Sequence, residues 1–134
     1  MSTLKDAIFT RASAFAGLTN LIGSPPRFYP VKLPDAPVYP CATYNIVSGL
    51  SYSAMGVDTT VARRRLQITV WGGLSYADMD AVCEQVRACF KRLKATISSV
   101  VILDIYKLNE TDLYDADAKV YYRAMDFDVA YYET

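Results

Sequence analysis

The stretch VARRRLQITVWGGLSYADMDAVCEQVRACFKRLK, residues 61–94, decides how the chain folds. Its first third alternates. Leu66, Ile68 and Val70 stand between Arg65, Gln67, Thr69 and Trp71, so a strand over 61–71 has one apolar face and one polar face. Gly72 and Gly73 break that strand, and Ser75 with Asp78 forms a capping box that opens a helix predicted to run to about Lys94. Met79, Val82, Val86, Cys89, Phe90 and Leu93 make a stripe along it at helical spacing. Arg87, Lys91, Arg92 and Lys94 put positive charge at its C-terminal end, where the macrodipole favours cations. A half-buried strand followed by a one-sided helix calls for a sheet with a helix laid on it.

Upstream, Leu4, Ile8, Ala12 and Phe15 recur at steps of four and three, which predicts an amphipathic helix started by Thr3 and Asp6. Gly17 ends this helix, or it runs on weakly to Gly23. All six prolines lie between residues 24 and 40. So many missing donors and fixed φ angles exclude a helix or a central strand there, leaving an extended surface segment with a short edge strand at 27–29. Residues 41–47 read as a strand by their β-branched and aromatic content. Residues 48–60, SGLSYSAMGVDTT, are small, polar and glycine-punctuated, and predict a long loop. Downstream, 100–107 and 119–132 predict two strands of an antiparallel hairpin, joined by LNETDLYDADA as a projecting acidic tip. The expected fold is α+β: one mostly antiparallel sheet with two helices packed on one face, in one domain spanning 1–134.

Composition restricts the function classes. No histidine is present, which removes the commonest general base and metal ligand, and no phosphate-binding glycine loop or CxxC spacing occurs. Three cysteines are an odd set and predict buried packing thiols in a chain kept in a reducing cytoplasm. The N-terminal residues include Lys5, Asp6 and Arg11 and lack the apolar block of an export signal. With 14 cationic and 14 anionic residues the formal charge is zero, which disfavours a partner held by bulk charge, nucleic acid above all. Catalytic residues, cofactor and metal are all expected to be absent.

Three constellations remain. Glu110, Asp112, Asp115 and Asp117 are carboxylates at short spacing, but they depart from the EF-hand pattern and read as a solvated turn. Arg63, Arg64 and Arg65 form the only basic run; on a strand two of them share a face and the third points the other way. They read either as a solvated strand end or as a contact to an acidic partner or nucleic acid, the zero net charge favouring protein. In Tyr121-Tyr122 and Tyr131-Tyr132 one ring of each pair faces the core and its neighbour faces outward, so aromatic surface, with Trp71, is left for packing or for an interface.

Three blocks resemble the tail-completion or tail-terminator proteins of long-tailed bacteriophages: RFYPVKLPDAPVYPCATYNIVSG (27–49), RRLQITVWGGLSYADMDAVCEQVRACF (64–90) and TDLYDADAKVYYRAMDFDVAYYE (111–133). The resemblance implies an α+β structural protein of the virion, formed in the host cytoplasm and placed at the head-proximal end of the tail. It implies a homo-oligomeric ring, a hexamer in many family members, that caps the tail tube protein and meets the head-tail connector or stopper protein. DNA only passes through the channel, and no membrane is involved. Tyr52 and Met55 in the long loop, Asp112, Tyr114, Asp115 and Asp117 in the hairpin tip, and Arg63, Arg64, Arg65 and Trp71 on the strand are then the expected interface residues. Another neck or tail-tube component is the nearest alternative. A small nucleic-acid-binding regulator is the alternative of a different class.

Overall fold

The computed structural model describes residues 3–23, 26–51 and 61–132. The alternation in 61–71 is realised as β3 (Val61–Gly73), whose Leu66, Ile68 and Val70 are buried. The glycine pair does not end this strand at Trp71. A register shift between Trp71 and Gly73 makes Gly72 a bulge, and pairing resumes at Gly73 with Tyr121. A Cβ on Gly72 would lie 2.4 Å from Met79 Cβ and 2.8 Å from the Met79 nitrogen, so glycine here lets the following helix close against the strand.

That helix, α3 (Tyr76–Phe90), starts at the expected cap with one of the two capping-box hydrogen bonds: Ser75 accepts from the Asp78 N–H at 3.2 Å. It stops four residues before Lys94. Lys91 is extended, and Arg92 turns left-handed (φ 60) so that its N–H donates to the Ile105 carbonyl at 2.7 Å. Tertiary hydrogen bonding thus ends the helix where propensity alone would extend it. Residues Ala95–Ile97 become a short strand, β4.

The first helix is two. α1 (Leu4–Ala14) carries the expected capping box, with Thr3 N–H donating to Asp6 at 3.0 Å and Asp6 N–H to Thr3 at 3.3 Å. Phe15 is extended and breaks it, and α2 (Ala16–Ile22) follows, ending at Gly23 (φ 93). Gly17 lies inside α2 and terminates nothing. Its hydrogen faces Gln85 of α3, where a Cβ would lie 2.1 Å from the amide oxygen. In the proline-rich segment β1 (Phe28–Pro30) is the edge strand, parallel to β2 (Cys41–Ser51), and Phe28 stacks on Tyr44 with ring centroids 4.4 Å apart.

Two expected loops shrink. Residues 48–51 belong to β2 and pair with residues 62–65 of β3, past a shift between Ile46 and Ser48. Backbone pairing recruits small polar residues that strand propensity would leave out. The remainder, 52–60, including Tyr52 and Met55, lies outside the described residues. The closing hairpin pairs nearly to its end: β5 (Val100–Asp115) and β6 (Val120–Tyr132) are joined by residues 116–119, so most of the supposed tip is strand. Asp115 caps this turn, accepting from the Asp117 and Ala118 N–H groups at 3.0 and 3.1 Å.

The sheet runs β1-β2-β3-β6-β5-β4, mixed through its single parallel pair and otherwise antiparallel. The α+β reading holds, with three helices among the described residues in place of two. Ile8, Leu18, Met79, Val86 and Phe90 from the helices pack against Leu66, Ile68, Met125 and Phe127 from the strands. Among the described residues no helix is long and apolar enough to cross a membrane.

Candidate functional site

The Arg side chains at 63–65 divide between the two faces as strand geometry requires. Arg64 is on the helix-covered face, where its Nε donates to the Tyr131 hydroxyl at 2.8 Å. Arg63 and Arg65 are on the other face, where Arg63 pairs with Asp128 and Arg65 with Asp126 at 2.9 Å. Each of the three cations therefore has a partner within its own chain. Trp71 shares the face of Arg63 and Arg65 and stacks on Tyr122, its register partner, at 4.4 Å between centroids. The indole Nε1 is buried without a hydrogen-bond partner among the described residues.

The remaining described candidates gather elsewhere, where the N-terminal end of α3 meets the β5–β6 hairpin. Asp112 stands opposite Arg123 in register and accepts from its Nε, and the Tyr76 hydroxyl donates to Asp112 at 2.7 Å. Arg123 also reaches Asp80 at 3.1 Å and the Tyr76 hydroxyl at 3.0 Å. Glu110 continues the network, bound by Arg87 and Lys107, each at 2.5 Å. A shallow open depression of about 350 Å³ is lined by Glu110, Asp112 and Arg123. Tyr114 leans on Tyr121 at 4.9 Å between centroids, and Tyr121 meets Tyr76 edge-on at 5.8 Å. These three exposed tyrosines form an aromatic patch beside Asp112.

The electrostatics of this cluster follow from its hydrogen bonds. Arg123 and then Tyr76 donate to Asp112 and hold its carboxyl below the usual carboxylate range. Burial pushes Glu110 up, but Lys107 and Arg87 outweigh it and the net shift is downward. The hydrogen bond to Asp112 raises the Tyr76 phenol, with burial adding to it. Arg123 is held protonated chiefly by Asp112 against the opposing effect of burial. Three cations and three carboxylates in contact make a rigid brace.

All three thiols are buried. Burial pushes Cys41 and Cys83 up to about 11 and Cys89 to about 12, so all three are neutral near pH 7. No group of three or more metal-ligating side chains converges among the described residues.

Sequence reasoning missed Tyr76, Asp80, Arg87 and Arg123 as members of the cluster. The signal was present in the hairpin. Centring the turn on residues 117 and 118 places Tyr114 opposite Tyr121, Leu113 opposite Tyr122 and Asp112 opposite Arg123, all complementary pairs. An assumed eleven-residue loop hides every one of them.

The family model described as Tail completion protein gp17 matches residues 6–132. No curated protein matches the chain. Among solved structures, a chain of the "Virion of native gene transfer agent (GTA) particle" superposes with a TM-score of 0.80 at 16% identity, covering 96% of this chain and 94% of that one. At that identity the likeness shows a common fold. The family match takes in nearly the whole chain, and the protein therefore belongs to the tail completion protein gp17 family.

Proposed function

We propose that the chain caps the head-proximal end of a phage tail tube and joins tail to head, as one subunit of a ring around the DNA path. Family membership makes it a structural component of a phage-type tail. The finer position is supported by the match over residues 6–132 together with a braced end that presents exposed tyrosines, the residue type most suited to protein contacts. The tail tube protein and the head connector or stopper are the partners this reading requires, and the virion is its place of action. All three arginines of the basic run are engaged within the chain, which speaks for protein docking over a nucleic-acid-reading role.

Electron microscopy of particles made without this chain tests the reading. Normal-length tails lying free of heads are the expected result for a joining role, and overlong tubes are expected for termination. Normal, complete particles would overturn both.

A further inference from the structure

The two ends of α3 differ in charge. At its N-terminal end Asp78 and Asp80 lie with Asp112, Asp115 and Asp117 of the hairpin, against Lys119 and the buried Arg123. At its C-terminal end Lys91, Arg92 and Lys94 follow one another within four positions, with Asp104 the carboxylate paired to Arg92, while Arg87 and Glu110 belong to the brace between the two ends. Fifteen residues at about 1.5 Å each hold these ends about 22 Å apart. The acidic end also carries the exposed tyrosines Tyr76, Tyr114 and Tyr121. In a chain of zero net charge the two ends of α3 thus carry opposite charge, and the helix fixes their separation.

We propose that copies of this chain join head to tail, the acidic, tyrosine-bearing end of one seated on the basic end that follows α3 in the next. A contact between two different patches of the same chain is heterologous, and it generates a ring when the rotation between copies closes. Opposite charge sets the register of the two ends, while tyrosine burial supplies most of the contact area. The second copy is the occupant because the complementary charge exists on the chain itself. The inference deepens the ring reading above and rests on it.

Charge reversal tests the contact, with sites chosen at exposed side chains that make no ion pair among the described residues. Asp78→Lys with Asp117→Lys makes both ends basic, and Lys91→Glu with Lys94→Glu makes both ends acidic. Light scattering on the full chain is expected to show that each variant loses the assembled species of the parent. An equal mixture of the two is expected to recover it, since every contact then joins unlike ends. Tyr114→Ala is expected to weaken assembly without altering its salt dependence.

Three outcomes would overturn the proposal: a parent chain that stays monomeric at its highest soluble concentration, variants that assemble as the parent does, or a mixture that fails to recover assembly although circular dichroism shows both folded. If the Asp78/Asp117 variant blocks particle completion while self-association is untouched, the acidic end serves a different protein and the proposal also falls. Particle morphology in the chain's absence reports on the tail role, and solution mass reports on this contact, so the two can fail separately.

Discussion

Arg123 and Asp112 face each other across the closing hairpin, the guanidinium nearly buried and the carboxylate half in water. Asp80 brings α3 to the same cation, so a single side chain ties both hairpin strands to the helix layer. The tyrosine patch is built on this tie, since Tyr76 touches both Arg123 and Tyr121.

Replacing Arg123 by Met is expected to destabilise the fold by about 2–3 kcal/mol, because three carboxylates lose their shared cation. That is less than the ~3–5 kcal/mol of a fully buried pair, since water screens the exposed aspartates. Arg123→Lys keeps the charge but not the forked geometry and should recover only part of the loss. Urea unfolding measures both, and a Met variant within about 0.5 kcal/mol of the parent would refute the assigned role.

Acid should loosen the same brace. Asp112 and Glu110 both have folded pKa values below their ordinary ones, so they bind protons less readily folded than unfolded. Their contribution is present above the unfolded carboxylate range, about pH 4, and is lost as pH falls through the lower folded values. Urea midpoints from about pH 6 to about pH 2.5 should therefore fall on the acid side, and less steeply in Asp112→Asn. Parallel profiles for parent and variant would remove Asp112 from the account.

The thiols predict the opposite limb. Each has a folded pKa above the unfolded value of about 8.5, so stability is intact below that pH and falls as pH rises towards about 11 for Cys41 and Cys83 and about 12 for Cys89. Native-state labelling with a thiol reagent near pH 8 should be slow and should follow the urea unfolding curve. Rapid labelling of any one cysteine in the absence of denaturant contradicts its burial.

Gly72→Ala should cost about 1–3 kcal/mol, since the added methyl meets the backbone at Met79 and Ser75, which cannot rotate away. Thermal unfolding reads the loss. An unchanged midpoint would mean that the bulge opens freely and does not set how closely α3 approaches β3.

The strand over 61–71, the capped helix after it and the capping box at Thr3 are all visible in the sequence, because alternation, helical spacing and cap chemistry are local patterns. The extent of each element was not legible in the same way. α3 stops at Phe90 because Arg92 finds the Ile105 carbonyl, and β5 runs on to Asp115 because β6 offers Arg123, Tyr122 and Tyr121 as partners. Neither partner is near in sequence to the residue whose fate it decides.

Residue pattern alone therefore determined the α+β class and the helix-covered face of the sheet, which depend on neighbours a few positions apart, and the likeness to tail-completion proteins, which rests on three blocks in order along the chain. Tertiary structure decided which charges are free. It occupied Arg63, Arg64 and Arg65 with Asp128, Tyr131 and Asp126. It also drew Asp112, Tyr114, Tyr76 and Arg123 into one exposed end, because ion pairing and aromatic packing act through space between strands and helix that the chain brings together only on folding.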